Sequence, residues 1–282
     1  MIAAIHPTLI LWRRMLIAFA LAALAGTGAA PAQMLPRHFD PNARQAAQNP
    51  PSLPALRFLT TADYPPFNYR DKSGTLVGFN VDLADAVCVE LSTVCTLQVW
   101  PWDQAADALA DNQGDALIGG LALDADTAAR FDFSSVYLRF PGRFVLPKPG
   151  IAGFAPDRLA GRTVAVRAGS RHADFIARYL PGAERREADT EFAALDMVAT
   201  GTADAYFGDG LRTSFWLGQH TDCCGFAGAG YFRPDFFGEG LAIAVAKNRD
   251  QVTRALDFAL QRLAKSGKLD ELYLRWFPIG FY

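Results

Sequence analysis

The sequence is short of most features that advertise chemistry. Its 282 residues include four cysteines and four histidines. No Cys-x-x-Cys pair or His/Cys cluster has the spacing of a metal site, and no Ser/His/Asp or Cys/His arrangement for covalent catalysis stands out. Neither sign of charge dominates, with 27 Lys and Arg against 29 Asp and Glu, and no basic patch is rich enough for nucleic acid. Long apolar runs are missing apart from Met15–Ala25, itself too short to span a bilayer comfortably. What remains is a globular chain of one or two domains, 51% of it apolar.

The one apolar run has its own logic. Arg13 and Arg14 precede it, and Gly26-Thr27-Gly28-Ala29-Ala30-Pro31-Ala32 follows. This is a secretory signal over residues 1–32 with its Ala-x-Ala site ending at Ala32. Pro31 disfavours cleavage after Ala30, which makes Gln33 the first mature residue. The Arg pair is a partial twin-arginine pattern, subordinate to a plain export signal, and no Cys stands at the site to carry a lipid. Removing Arg13 and Arg14 leaves 25 basic residues against 29 acidic ones. Residues 33–54, with Pro36, Pro41, Pro50, Pro51 and Pro54, read as an extended leader.

Beyond the leader, short apolar runs alternate with helical patterns. Leu56–Thr60 reads as a strand, and Asn80–Leu91 as a helix with Asn80 as N-cap and Phe79, Leu83, Ala86, Val87 and Leu91 on one face. Cys95–Trp100 is the next strand, then a helix over 102–112 beside Asp103 as its cap, then the buried strand Ala116–Ile118. The grammar restarts with strand Thr163–Val166, helix Ser170–Tyr179, a weak strand around Glu187, helix Thr190–Ala199 with Phe192, Leu195 and Val198 inward, and strand Ala203–Phe207. Strand Leu241–Val245, a long helix from Asp250 ended by Gly267, and a short helix Leu269–Trp276 close the chain. This is β-α-β-α-β twice over, the pattern of two α/β lobes with right-handed crossovers.

The stretch from Phe58 to Leu83 is more specific. A strand runs into Asp63-Tyr64-Pro65-Pro66-Phe67, a polar hairpin follows around Asp71-Lys72-Ser73-Gly74, and Gly78-Phe79-Asn80 opens the helix. Tyr64, Pro66, Phe67, Gly78, Phe79, Asp82 and Leu83 together resemble the start of family 3 solute-binding proteins of the polar amino-acid transport type, which have a type II periplasmic-binding fold. The resemblance extends from about Leu56 to Pro278. It implies two lobes, each a mostly parallel sheet flanked by helices: lobe 1 from residues 55–143 and 235–282, lobe 2 from residues 144–234. Two segments, near Phe140–Phe144 and Ala227–Phe237, would cross between them as a hinge. Several basic-amino-acid binders of the family carry two cysteines at the spacing of Cys88 and Cys95, where a disulfide would join helix end to strand start. For the adjacent Cys223-Cys224, a vicinal disulfide, two thiols, or a metal site with His220 are all open.

Ligands sit at the carboxyl ends of parallel strands, so the candidates are residues just after strands. Tyr64 and Trp102 match the family's aromatic walls. Asp209, in Phe207-Gly208-Asp209-Gly210, matches the carboxylate that holds a ligand ammonium, and Gly169-Ser170 matches the turn that seats a ligand carboxylate. The chain departs from the family after Gly120. Counting back from Asp132-Phe133-Ser134, the family's carboxylate-gripping Arg is Thr127, and its hydroxyl residue two positions after Gly120 is Ala122. Three readings follow: a ligand without an α-carboxylate, a clamp relocated to Arg167 or Arg171, or a protein that binds no transport ligand.

The resemblance implies a periplasmic, monomeric solute-binding protein without cofactor or nucleic acid. It would capture a small polar, amino-acid-like or amine-containing solute and deliver it to an ABC-type membrane permease. A sensor or accessory protein, or a dehydratase-like enzyme using Asp209, Asp124 or His172, are the competing readings; His172, in the first turn of a helix, reads as a solvated surface residue.

Overall fold

A computed structural model describes residues 52–277 and 279–282. The expected signal over residues 1–32 and the leader as far as residue 51 lie outside the described residues. The end of the leader is tied down: Leu53 packs against the core, its carbonyl accepts from Thr93 Oγ1 at 3.0 Å, and Gln251 Nε2 donates to the Ser52 carbonyl at 2.8 Å.

The first lobe is built on a sheet of β1 (Ala55–Thr60), β5 (Val94–Val99), β6 (Ala116–Leu117), β7 (Phe131–Phe133) and β13 (Ala244–Ala246) in the order β5-β1-β6-β13-β7. A small meander, β2 (Asp63–Tyr64), β3 (Asn68–Arg70) and β4 (Leu76–Val77), carries the aromatic turn beside it. Helices α1 (Phe79–Leu91), α2 (Trp102–Ala110), α3 (Ala125–Arg130), α8 (Asp250–Lys265) and α9 (Lys268–Trp276) belong to this lobe. The second sheet holds β8 (Gly142–Pro147), β9 (Thr163–Arg167), β10 (Glu184–Ala188), β11 (Ala205–Asp209) and β12 (Cys224–Tyr231) in the order β10-β9-β11-β8-β12, with α4 (Arg171–Tyr179), α5 (Glu191–Ala199), α6 (Gly210–Gln219) and the short α7 (Pro234–Phe237).

Both sheets are mixed. The βαβ units supply two parallel joins in each, β5-β1-β6 and β10-β9-β11, and the strands flanking the crossings add two antiparallel ones. One apolar cluster fills the space between the first sheet and α1, α8 and α9, with Leu83, Val87, Leu256 and Tyr273 at its centre; Leu109 and Ala105 of α2 cover the other face. The second sheet is covered on both faces in the same way, by Phe175 and Ile176 on one side and Leu195 and Val198 on the other.

The chain leaves the first sheet after Phe133 and returns to it at Ala244, so the two connectors span residues 134–141 and 232–243. Phe144 and Ala227, expected at the crossings, lie inside β8 and β12. The connectors pair with each other: Leu138 and Leu241 form an antiparallel bridge, and the Leu241 N–H donates to the Leu138 carbonyl at 2.7 Å.

Several local expectations change. Asn80 does not cap α1. Gly78 precedes the helix at φ +140°, and Asn80 is buried within it, donating to Asn68 Oδ1 and accepting from the Tyr137 hydroxyl, both at 2.8 Å. Asp103 lies inside the first turn of α2, whose cap position is Pro101. Phe192 does not face the core with Leu195 and Val198; it is 52% exposed.

Candidate functional site

The site is assembled from strand ends. β9 ends at Arg167 and leads through Gly169 and Ser170 into α4; β11 ends at Asp209, which starts α6; α5 begins beside both with Glu191. Ser170 is the N-cap of α4, its hydroxyl accepting from the Ala173 N–H at 3.1 Å and donating to the Arg167 carbonyl at 2.7 Å. Asp209 caps α6 by accepting from the Arg212 N–H at 2.8 Å. Such caps satisfy helix donors that have no intrahelical partner.

These residues line a polar cavity of about 150 Å³ that includes Arg167, Ser170, His172, Glu191, Tyr206, Asp209 and Arg212. Gly208 makes room for it, because a Cβ there would overlap the Tyr206 hydroxyl and stand 3.0 Å from Glu191 Oε1. Glu191 fills that space. It accepts from the Tyr206 hydroxyl at 2.6 Å and from the Asp209 N–H at 3.2 Å, and lies 3.8 Å from Arg212 Nε. Burial pushes the Asp209 carboxyl up to about 6; the hydrogen bond from the Arg212 N–H opposes the rise and the neighbouring Glu191 charge adds to it.

His172 is not a solvated surface residue. Its ring stacks on Phe237 at 4.5 Å and meets Phe207 edge-on at 5.8 Å. Burial, with a contribution from the Arg167 charge, lowers it to about 4, so it faces the cavity as a neutral imidazole.

A second, mostly apolar cavity of about 650 Å³ opens between the lobes. Pro65, Pro66 and Tyr69 of the first lobe line it opposite Phe192 and Phe215 of the second, and Glu191 and Arg212 border both cavities. Tyr64 stacks on Phe67 at 4.7 Å. Its ring also fixes Gly120, at φ +89°, where a Cβ would come within 2.7 Å of it. Burial and then the Asp209 charge hold the Tyr64 hydroxyl above its ordinary pKa, so these two groups sense each other across the lobes.

Other sequence candidates lie elsewhere. Trp102 is 48% exposed at the start of α2 and lines neither cavity. Thr127 closes a capping box on α3: its N–H donates to Asp124 Oδ1 at 2.9 Å, and its hydroxyl accepts from the Asp124 N–H at 3.1 Å and donates to the Ala122 carbonyl at 2.6 Å. Ala122 and Thr127 line neither cavity. Arg171 turns away to the Asp235 carbonyl at 2.9 Å and to the Phe236 ring, whereas Arg167 reaches the polar cavity. Glu191 and Arg212 had no place in the sequence reading; the available signal was an acid directly after the helix cap Thr190 and a base three residues after Asp209.

Cys88 and Cys95 are disulfide-bonded with Cα atoms 6.1 Å apart, joining the end of α1 to β5. Cys223 and Cys224 form a vicinal disulfide. His220 is engaged with the Trp216 carbonyl at 2.8 Å and stacks on the Trp216 ring, and among the described residues no group of three or more His, Cys, Asp or Glu could hold a metal ion.

Two mixed-sheet lobes joined by paired connectors, with a polar cavity at strand ends, define a type II periplasmic-binding fold. The chain belongs to the bacterial extracellular solute-binding proteins, family 3, whose model matches residues 56–279. It is 30% identical over 223 residues to the putative ABC transporter arginine-binding protein 2 of Escherichia coli K12, covering 79% of this chain and 90% of that protein. It is 27% identical over 232 residues to the L-arginine-binding protein of Pseudomonas aeruginosa, covering 80% and 89%. Among solved structures, the L-cystine solute receptor of Neisseria gonorrhoeae in its unliganded open conformation shares the fold at a TM-score of 0.71 and 21% identity, covering 80% of this chain and 94% of that one. An ancestral cyclohexadienyl dehydratase shares it at 0.68 and 22%, covering 80% and 93%, so the fold alone does not separate binder from enzyme. No helix among the described residues is long and apolar enough to cross a membrane.

Proposed function

We propose that the protein is a monomeric periplasmic receptor that captures a small polar solute carrying an ammonium group and hands it to an ABC-type membrane permease. The observation that carries this reading is Asp209: a carboxylate at the end of β11, facing the polar cavity, with backbone N–H groups of α6 as its hydrogen-bond partners. A carboxylate in such a place gains most from a cationic partner. The relatives named for arginine binding fit a cationic ligand. Pro65, Pro66 and Tyr69, on the opposite lobe, supply an apolar wall, and the larger cavity takes the uncharged body of the solute.

No chemistry is required of the site. Only a closed form lets both lobes touch the solute, so binding shifts the open–closed equilibrium by the difference in contact between the two forms. The relatives, which are named as binding proteins, favour a binder over a dehydratase.

A thermal-shift screen over amino acids, their decarboxylated amines and small acids identifies the ligand class; a compound at 100 times its Kd raises stability by about 2.7 kcal/mol. Asp209→Ala then abolishes binding of the cationic hit in calorimetry. Unchanged affinity would remove Asp209 from the site.

A further inference from the structure

The polar cavity holds two carboxylates and two guanidiniums, and they are not equally satisfied. Glu191 is engaged by the Tyr206 hydroxyl, the Asp209 N–H and Arg212. Asp209 and Arg167 remain. The Asp209 carboxylate has backbone donors from the start of α6 and no side-chain donor, and Glu191 and Arg212 are the charges that act on it. The Arg167 guanidinium makes no hydrogen bond or ion pair among the described residues, although it lines the same cavity. The Ser170 hydroxyl beside it is already taken by the turn.

One unmatched anion and one unmatched cation on the same lobe describe the complement of a zwitterion. The size agrees. A cavity of about 150 Å³ is large enough for a benzene-sized group, which leaves room for the ammonium, Cα and carboxylate of a head group.

We propose that Arg167 holds the carboxylate of the solute and selects for it, so that the whole head group, ammonium on Asp209 and carboxylate on Arg167, sits on the second lobe. A planar guanidinium suits that task because it can present two parallel donors to a carboxylate. Glu191 and Arg212 border both cavities, so the side chain of the ligand leaves past them toward Tyr69, Phe192 and Phe215. This inference rests on the reading of the cavity as the solute site.

The test is calorimetry on the exported form of the chain with two matched pairs, L-arginine with agmatine and L-phenylalanine with 2-phenylethylamine. At least one amino acid binds ten- to a hundredfold more tightly than its amine, the range expected for a charge-assisted contact. Arg167→Gln brings the two members of that pair to within about threefold by weakening the amino acid alone, and Arg171→Gln leaves the ratio unchanged. The inference is overturned if the wild-type protein binds the amine as tightly as the amino acid, or if Arg167→Gln keeps the preference. Asp209→Asn separates the two levels. If it weakens both members while Arg167→Gln does nothing, the cavity is the solute site and the clamp is wrong. If neither substitution matters, or no probe binds, the solute-site reading fails and the clamp with it.

Discussion

Asp209 should make the empty protein less stable than it could be, and the cost can be worked from its surroundings. Burial and the Glu191 charge raise its pKa from the ordinary 3.8 to about 6. Between those values the folded chain holds a proton that the unfolded chain has released. Stability therefore falls as pH rises through that window; the penalty is absent below 3.8 and complete above 6. At about 1.36 kcal/mol per pH unit, the interval corresponds to ~3 kcal/mol, which the small part of the residue that water still reaches reduces to ~2 kcal/mol. Asn caps a helix as well as Asp, so Asp209→Asn removes the charge and keeps the cap. Without ligand, the variant should melt about 4–8 °C higher at pH 8 and at nearly the wild-type temperature at pH 4. Differential scanning calorimetry at the two pH values reads this directly. An equal difference at both, or a lower midpoint at pH 8, would refute the argument. A cationic ligand that requires the ionised carboxylate should also lose about tenfold in affinity for each pH unit below 6.

Two further outcomes follow from the first lobe. Gly78→Ala should cost about 3 kcal/mol or more in urea unfolding, because its φ of +140° is hostile to an L side chain and a Cβ would overlap the Phe67 carbonyl; a loss under about 0.5 kcal/mol would contradict that geometry. Replacing both Cys88 and Cys95 by Ser opens a closed loop of sequence separation 7, which loop-closure entropy values at about 2–3 kcal/mol, and the double variant should show a correspondingly lower urea midpoint with unchanged ligand affinity.

Local signals in this chain were legible where the physics is local. The Pro-stiffened turn at Tyr64-Pro65-Pro66-Phe67, the start of α8 at Asp250 and its end before Gly267 each follow from neighbours in sequence, and each forms as read. The antiparallel joins were not legible. β8 pairs with β11 and β12 from far along the chain, and nothing in Gly142–Pro147 names those partners. Burial of polar groups was hidden for the same reason. His172 sits in an ordinary first turn until Phe207 and Phe237 are brought against it. Glu191 looks like a routine first-turn acid until Gly208 leaves space for it and Tyr206 donates to it. Phe192 fits the apolar period of α5 but stands at its second position, where the helix meets the cleft rather than the sheet.

Thr127 and Arg167 show how the two kinds of signal combine. The missing guanidinium at 127 is visible in sequence, and so is the local device that occupies its place, because Asp124 followed three residues later by Thr127 is a reciprocal capping pair. A hydroxyl engaged by its own helix has little left for a solute. The sequence also offered Arg167 and Arg171 as equal substitutes, since both flank the same turn. They are separated by α7, whose Asp235 carbonyl and Phe236 ring draw Arg171 away, and by the end of β9, which leaves Arg167 over the cavity. On the proposed placement, a positive charge would have moved from one lobe to the other and kept its task, with the carboxylate it serves in the cavity that Arg167 shares with Asp209. With Arg167 in that role, the second lobe would hold a head group before the first lobe closes, and the first lobe would add the apolar wall of Pro65, Pro66 and Tyr69 rather than a charge.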